Sequence, residues 1–481
     1  MANKISSAHP PALPMLFLTE MWERFSYYGM RALLVLYLVN SLHYARQDAL
    51  KLYAIYTSLV YLTPIIGGYL ADRYLGTRKA ILIGGITMAL GHFAMASPAL
   101  LHLALGLLII GNGFFKPNIG SLLGTLYEPN DPRRDSGFII FYIGVNLGAF
   151  LSPLVAGTLG EKVGWDYGFA SAGVGMCLGL AQFIYGQHKL GTAGLLNGQH
   201  KLERKDWLHI IGISFAMIPL VYIILHGYGA LQPAWGNLNW MIQSLLVILA
   251  FISLWFTGRK HHTQKLDRNE WRRIIYIMIM GLFVIFFWMG FEQGGGTMNL
   301  FADQRTDRML LGWEIPASYF QAINPLTIIL LGPLFAMLWR KVDQSRFCLA
   351  SSVKMGLGML LLGLGFAVLA IADKKTGMVG PQWLMIVYVL HTLGELCLSP
   401  IGLAMVTNIS PARVGALMLG LWYLSNAFAN YLAGMLESYL KNSGLPIYWF
   451  LVASSIGAGL LLITISPLLN NLLSRKLRKQ Y

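Results

Sequence analysis

The sequence predicts an all-α membrane protein with fourteen transmembrane helices, and three observations lead to this fold class. Of the 481 residues, 56% are hydrophobic and 12% are charged, whereas soluble domains carry about 25% charged residues. Fourteen apolar runs are long enough to cross the hydrocarbon core of a bilayer, which is about 30 Å thick. Basic residues are concentrated in every second loop between these runs, as expected of a multi-pass membrane protein.

Turn-forming residues separate the apolar runs, as in the Pro-Asn-Asp-Pro sequence at 129–132. The first run follows a single lysine and continues through several charged residues, so we expect it to be retained as a helix and not cleaved as a signal peptide. The predicted spans are 13–40, 49–71, 79–97, 100–125, 136–160, 166–186, 207–229, 237–257, 271–296, 315–339, 346–371, 381–408, 412–438 and 446–473.

The positions of the basic residues orient these spans. With a cytoplasmic N-terminus, 24 of the 36 Lys and Arg residues fall in cytoplasmic loops and eight fall in outer loops. This bias obeys the positive-inside rule and predicts that both termini are cytoplasmic. The remaining four basic residues lie inside spans and need a separate explanation: Arg24, Arg31, Lys116 and Lys354.

The sequence lacks the motifs that indicate several other classes of function. The net charge of +15 comes from short loops, and no basic stripe with interleaved aromatic residues indicates a nucleic-acid partner. The three cysteines are far apart in apolar runs, so we expect no disulfide and no metal site. The chain has no Gly-Lys dipeptide, which excludes a Walker A loop, and neither H-E-x-x-H nor G-x-S-x-G. We therefore expect a protein that is not an enzyme.

A charged stripe in the first span is the strongest functional signal. Each charge facing lipid at the membrane centre would cost about 2.5–3.5 kcal/mol, so the stripe must face protein or a watery cavity. An ion-paired packing seam is one interpretation, whereas charges of both signs beside two tyrosines favour a pathway for a polar solute. Spacings of i, i+3, i+4, i+7, i+8 and i+11 place six residues on one helical face: Glu20, Glu23, Arg24, Tyr27, Tyr28 and Arg31.

Two further ionisable residues lie beside prolines in the middle of spans. Lys116 precedes Pro117, and Glu395 lies five residues before Pro400; proline kinks a membrane helix and frees backbone carbonyls. Lys116 could reach the membrane surface by snorkelling, but a buried cation that needs a carboxylate partner is favoured. Glu395 is the candidate partner, and a carboxylate that alternates between paired and unpaired surroundings would act as a proton switch.

Glu292 and Arg31 both lie towards the outer ends of their spans, which predicts a gating pair between them. The alternative is a glutamate that simply reaches the outer water. Lys354 lies near the cytoplasmic end of its span and is interpreted as snorkelling or structural.

Two asparagines occupy mid-membrane positions, Asn146 and Asn324. Each could join helices through a hydrogen bond worth under about 1 kcal/mol, or bind the backbone or amine of a peptide, and spacing alone leaves both open. Tyr61 and Trp422 are aromatic residues of the kind that pack in cores and interfaces.

A weak internal repeat suggests the domain organisation. The second span ends in a Gly-Gly-Tyr-Leu-Ala-Asp sequence at 67–72, and the tenth ends in a Gly-Pro-Leu-Phe-Ala sequence at 332–336. If the seventh and eighth spans form an inserted hairpin, the rest divides into two repeats of six helices, a known transporter plan. The predicted units are an N-terminal bundle (1–187), linkers with the hairpin (188–270) and a C-terminal bundle (271–481).

At this point the chain resembles the proton-dependent oligopeptide transporters of bacterial type, a peptide transporter branch of the major facilitator superfamily. The resemblance runs the whole length and rests most on E-x-x-E-R-F-x-Y-Y-G, which is complete at 20–29. Lys-Pro-Asn at 116–118, Phe-Tyr-x-x-x-Asn-x-Gly at 141–148 and Gly-Glu-x-x-x-Ser-Pro at 394–400 support it. The resemblance implies the major facilitator superfamily fold, with two six-helix bundles and a two-helix central insertion.

The resemblance also implies residue roles. Arg24, Arg31 and Lys116 would attract the peptide carboxylate, and Asn146, Asn324 and Glu395 would hold the amino end. The remaining substrate-binding residues would be Tyr27, Tyr28, Tyr61, Trp288, Ser399 and Trp422. Proton coupling would involve Glu20, Glu23, Arg24 and Glu292, and the gating pairs would be Arg31 with Glu292 and Lys116 with Glu395. Phe291 departs from the family pattern, because some relatives have a second acid beside Glu292.

The expected function is therefore a proton-coupled symporter that imports di- and tripeptides by alternating access, with the peptide termini clamped between N-bundle cations and Glu395. Protons would be the coupling ion, with no other cofactor. We expect peptide-like drugs among the substrates, a lipid bilayer around a monomeric protein, and a multi-pass location in the bacterial inner membrane. The alternative is a major facilitator transporter of another solute, such as a drug, nitrate or a small metabolite.

Overall fold

The computed structural model describes residues 8–128, 131–195, 266–345, 348–411, 414–441 and 443–473, apart from the side chain at 416. We call residues 8–195 the first part and residues 266–473 the second part. The predicted spans 207–229 and 237–257 lie outside the described residues, so the inserted hairpin and the count of fourteen helices stay predictions.

The first part contains seven helices that make six passages. They are α1 (Leu13–Leu36), α2 (Arg46–Leu62), α3 (Pro64–Leu70), α4 (Thr77–Ala94), α5 (Leu101–Gly124), α6 (Arg134–Ser152) and α7 (Trp165–Gly186). Helices α2 and α3 are nearly continuous, because proline is accepted at the first position of a helix. Helical turns of π type prolong α1 over Tyr37–Ser41 and α6 over Pro153–Gly157 and Leu159–Val163.

The second part also contains seven helices in six passages. They are α8 (Arg268–Phe291), α9 (Thr297–Arg305), α10 (Ile323–Gln344), α11 (Ser351–Asp373), α12 (Gln382–Ile409), α13 (Gly415–Leu440) and α14 (Ile447–Asn470). A 3₁₀ turn, Glu292–Gly295, joins α8 to α9, and a 3₁₀ segment, Ala317–Ala322, leads into α10. Between them, Met309–Leu310 and Trp313–Glu314 form a short antiparallel hairpin.

These passages coincide with the twelve predicted spans outside the undescribed segment. By length and composition, nine helical stretches within the described ranges could cross a membrane. Helices α1, α4 and α13 are not among the nine. For α1 the charged stripe explains this, because charges lower the mean hydropathy that marks a membrane helix.

Each part is held together by its own helix contacts, and fewer helix pairs join the two parts. In the first part, α1 packs against α6 and α7, and α4 packs against α5 and α7; in the second, α11 packs against α12 and α14. The principal helix contacts between the parts are α2 with α13 and α6 with α10. Contacts on two sides leave a space between the parts that both of them line.

Small residues allow the close helix approaches that membrane bundles require. At Gly148 of α6, a Cβ atom would overlap the carbonyl oxygen of Met21 and lie 2.9 Å from the backbone nitrogen of Phe25 on α1. The α1–α6 contact therefore depends on a residue without a side chain, directly beside the charged stripe.

We expect Gly148→Ala to destabilise the protein by about 1–3 kcal/mol, because the added methyl group forces α1 and α6 apart. Thermal unfolding of the detergent-purified protein measures the loss as a lowered Tm. Gly120→Ala on α5 is the matched control, since nothing lies within 4 Å of a Cβ atom there. Equal Tm values for the two variants would contradict the packing argument.

Polar contacts join the two parts at one end, which we call the outer end and define by Asn40, Arg46, Lys162 and Arg308. Arg46 pairs with Glu437 at 2.8 Å, Lys162 pairs with Glu314 at 2.8 Å, and Asn40 donates to Asp303 at 2.9 Å. Within the described chain, the surface ion pairs between the parts all lie here. The two parts are thus in contact at the end that the positive-inside rule places outside.

Candidate functional site

A cavity of about 200 Å³ lies between the two parts. The first part contributes Tyr28, Arg31, Tyr61 and Asn146 to its lining, and the second part contributes Trp288, Glu292, Asn324 and Glu395. All eight are residues that the sequence singled out. They lie on six separate helices and on the 3₁₀ turn that follows α8, and the fold brings them to one space.

The charged stripe on α1 divides into two groups. The first group is buried away from the cavity: Arg24 Nε lies 2.9 Å from Glu20 and 2.5 Å from Glu23, and each of the three residues is at most 5% exposed. Asn112 on α5 donates to Glu23 at 3.4 Å. Buried charges need such partners, because removing one partner leaves a charge whose desolvation is not compensated.

The second group is Arg31, which reaches across to the second part. Its Nη2 forms an ion pair with the carboxylate of Glu292, and its Nε donates to the Tyr53 hydroxyl at 2.6 Å. The Arg31 and Glu292 side chains are 11% and 3% exposed. The contact expected of the first gating pair is therefore present, while its function as a gate stays a prediction.

The second gating pair is not formed in this conformation. Lys116 Nζ lies 4.2 Å from the ring centroid of Tyr61, a cation–π distance, and it interacts electrostatically with Glu20 and Glu23. Glu395 instead accepts a hydrogen bond from Asn324 at 2.9 Å. Lys116 and Glu395 belong to different parts, and each has local compensation on its own part, so their pairing stays a prediction for another conformation.

Asn324 is held in place by two contacts on α12. Its Nδ2 donates to Glu395 Oε2 and, at 3.0 Å, to Thr392 Oγ1. The Thr392 hydroxyl in turn donates to the Tyr388 carbonyl at 2.7 Å. The NH₂ group of Asn324 is thus occupied by hydrogen bonds within the protein. The amide oxygen of Asn324 remains as an acceptor beside Glu395.

Aromatic rings form one wall of the cavity. Phe291 stacks on Phe287 with centroids 5.7 Å apart, and Trp288 meets Phe291 edge-on at 5.2 Å. Phe291 thus places an apolar ring directly before Glu292, at the position where the sequence departs from the family pattern. The Arg31–Glu292 pair therefore has an aromatic neighbour in place of a second carboxylate.

Five residues predicted to bind substrate do not line the cavity: Arg24, Tyr27, Lys116, Ser399 and Trp422. Trp422 is 6% exposed and packs against Gly402, where a Cβ atom would lie 2.5 Å from its ring; the interpretation as a packing aromatic fits this position. Tyr27 is 3% exposed and meets Tyr28 edge-on. Arg24, Tyr27 and Trp422 are thus buried in this conformation, whereas Lys116 and Ser399 are half-buried.

Lys354 lies in an ion pair beside an aromatic ring. Its Nζ lies 2.5 Å from Asp343 and 5.2 Å from the ring centroid of Trp339. This ion pair joins the end of α10 to the start of α11 and agrees with the structural interpretation.

Four polar residues that line the cavity were not predicted from the sequence: Tyr142, Gln321, Tyr388 and His391. Tyr388 lies seven residues before Glu395. Tyr142 and His391 precede Asn146 and Glu395 by four residues, and Gln321 precedes Asn324 by three. A residue one helical turn away shares a face, so this spacing could have identified them. Tyr53, the partner of Arg31, carried no comparable signal because it lies on another span.

Comparisons with known proteins find relatives along almost the whole chain. The family model described as the POT family matches residues 78–448. The chain is 36% identical to the peptide transporter YePEPT of Yersinia enterocolitica, over 96% of each protein. It is 33% identical to a di-/tripeptide transporter of Lactococcus lactis, again over 96% of each.

A solved structure has the same architecture. The crystal structure of the peptide transporter POT in complex with sulfate superposes with a TM-score of 0.84 at 36% sequence identity. The match covers 97% of this chain and 96% of that chain. The shared fold therefore extends over the whole described architecture.

Proposed function

Because the chain belongs to the POT family, whose members are peptide transporters and not enzymes, we propose that it is a proton-coupled symporter for di- and tripeptides. The family confirms the predicted fold class, an all-α membrane protein of the major facilitator superfamily. Transport would proceed by alternating access, with the closed outer end of this structure as one of the two states.

The observation that carries the proposal is the placement of opposite charges on opposite walls of one cavity. Arg31 lines it from the first part, and Glu395 lines it from the second. A dipeptide is a zwitterion whose end charges are about 5–7 Å apart at roughly 3.8 Å per residue step. Recognition of these two ends would tolerate many side chains, and Asn146 and Asn324 would hold the amino end together with Glu395.

Proton coupling follows from the carboxylates. A proton on Glu292 would remove its attraction to Arg31 and free the guanidinium for the peptide carboxylate, allowing the outer end to open. Glu20 and Glu23, both on Arg24, would couple protons inside the first part. Arg24 and Lys116 would add positive potential for the carboxylate, and Lys116 would pair with Glu395 in another step of the cycle.

The remaining features follow from the family and the charge distribution. We propose two six-helix bundles, 1–187 and 271–481, joined by the linkers and hairpin of 188–270. The protein would be a monomer in the bacterial inner membrane, with both termini cytoplasmic because basic residues are enriched in the loops on that side. Peptide-like drugs that carry the same two end groups would also be substrates.

Uptake into liposomes tests the proposal. Labelled dialanine is offered to the reconstituted protein with and without an inward proton gradient, beside protein-free liposomes. We expect accumulation only with the gradient, erased by excess unlabelled trialanine. Absence of uptake, with a working control transporter in parallel, would contradict peptide transport and favour a drug, nitrate or another small metabolite as the cargo.

A further inference from the structure

We propose that Glu161 is a positioning residue for the peptide site, because it anchors the 3₁₀ segment that leads into α10, the helix of Asn324, whenever the outer end is closed. The inference rests on the proposed function and adds to it a residue that lies outside the cavity. Glu161 belongs to the π-helical extension of α6 in the first part, whereas the segment it holds belongs to the second part.

Both oxygens of the Glu161 carboxylate accept backbone hydrogen bonds across the boundary between the parts. Oε2 accepts from the Ala317 amide at 2.6 Å, and Oε1 accepts from the Ser318 amide at 2.9 Å. These two amides begin the 3₁₀ segment Ala317–Ala322, where helical N–H groups have no partner of their own. Glu161 therefore acts as a cap supplied by the other half of the molecule.

The surroundings of Glu161 hold its charge in place. Its side chain is 9% exposed, and Arg308 Nη1 lies 3.6 Å from Oε2. Arg308 also pairs with Asp303 at 3.2 Å and Glu314 at 2.9 Å. The carboxylate thus has two amide donors and one cation, which together compensate the cost of its burial.

Neighbouring contacts show that the two backbones are packed closely at this point. A Cβ atom at Gly157 would overlap the Ser318 hydroxyl and lie 3.2 Å from Ser318 Cβ. Thr158 and Tyr319 share a hydrogen bond of 2.7 Å between their hydroxyl groups. The α6 extension and the 3₁₀ segment are therefore in register over consecutive residues, with Glu161 at the centre of the polar contacts.

The 3₁₀ segment connects the residues that Glu161 binds to the residues that line the cavity. It continues directly into α10 at Ile323, and Gln321 and Asn324 line the cavity within two turns of the capped amides. Asn324 in turn holds Glu395. A carboxylate in the first part thereby sets the position of two predicted peptide-binding groups in the second part.

This connection links binding to closure. Opening the outer end must separate the α6 extension from the 3₁₀ segment and remove both acceptors from the Ala317 and Ser318 amides. The start of α10 would then no longer be fixed, and Asn324 and Glu395 would be less ordered. The closed state would therefore present a more ordered site to the peptide.

The adjacent Lys162 provides a matched control. It pairs with Glu314 at 2.8 Å across the same boundary, but the two side chains are 27% and 47% exposed. The hydrogen bond from Lys162 and the charge of Arg308 lower the pKa of the Glu314 carboxyl, so the pair is ionised at neutral pH. Exposed pairs of this kind contribute little, and this one contacts a side chain in the hairpin and not the 3₁₀ backbone.

The test is peptide counterflow, which needs no proton gradient, measured for Glu161→Ala, Glu161→Gln and Lys162→Ala. We expect Glu161→Ala to raise the KM for dialanine about tenfold or more, the equivalent of one charge-assisted hydrogen bond. Glu161→Gln, which retains one acceptor oxygen, should give an intermediate KM. Lys162→Ala should stay within about twofold of the wild type.

Calorimetric titration of dialanine into the purified variants separates positioning from folding, since it reports Kd per folded molecule. A Glu161→Ala variant with wild-type KM and Kd, and only a Vmax lowered in proportion to folded protein, would overturn the inference while leaving peptide transport intact. Absence of dialanine counterflow in the wild type would overturn the proposed function itself.

Discussion

Glu23→Gln is expected to abolish proton-driven accumulation of dialanine while sparing peptide exchange. Glu23 is fully buried and lies 2.5 Å from Arg24 Nε; glutamine keeps its size and its contact with Asn112 but cannot take up and release a proton. Glu20 remains to compensate Arg24, so the fold is retained. A gradient of one pH unit drives about tenfold accumulation per proton, and the variant should reach only equal concentrations inside and outside.

Asp48→Asn is the matched control for this experiment. The Asp48 carboxylate is 58% exposed, pairs only loosely with Lys51 at 3.4 Å and lies outside the α1 stripe. We expect this variant to accumulate dialanine as the wild type does. Uphill uptake retained by both Glu20→Gln and Glu23→Gln would refute a coupling role for these two carboxylates.

A disulfide between positions 157 and 318 is expected to stop transport altogether. The Cβ positions of Gly157 and Ser318 are 3.2 Å apart, close to the 3.5–4.5 Å range of disulfides. The bond would tie the α6 extension to the 3₁₀ segment and prevent the outer end from opening. In a background with Cys177, Cys348 and Cys397 replaced, the oxidised Gly157→Cys/Ser318→Cys variant should neither accumulate nor exchange peptide.

Reduction is expected to restore transport in the same sample, which excludes misfolding as the cause. The Ser318→Cys single variant, oxidised in the same way, should continue to exchange peptide. Exchange at the wild-type rate by fully crosslinked protein would show that separation at residues 157 and 318 is not part of the cycle.

The membrane spans and the residues of interest could be read from local patterns. A run of about 20 apolar residues crosses a bilayer whatever its neighbours are, and the twelve predicted spans in the described chain are helices in the structure. Helical periodicity also placed Tyr28 and Arg31 on one face of α1, and both line the cavity. These inferences succeed because membrane insertion and helix geometry depend on consecutive residues.

The partners of those residues could not be derived in the same way. Arg24 and Arg31 belong to one stripe, yet Arg24 pairs within α1 and Arg31 pairs with Glu292 of the other part. Lys116 lies over Tyr61, while Glu395 is engaged by Asn324. The 3.6-residue repeat gives the direction of a side chain on its own helix but carries no information about which other helix it faces.

Glu161 is the clearest example of a residue whose partners could not be predicted from the sequence. By sequence it is one acid at the end of a span, and its partners are the backbone amides of Ala317 and Ser318, which are the same chemical group in every residue except proline. The sequence by itself determined the spans, the α1 stripe and the resemblance to a family. Only the tertiary structure decided which charges are paired and which end is closed, because those depend on contacts between helices distant in the chain.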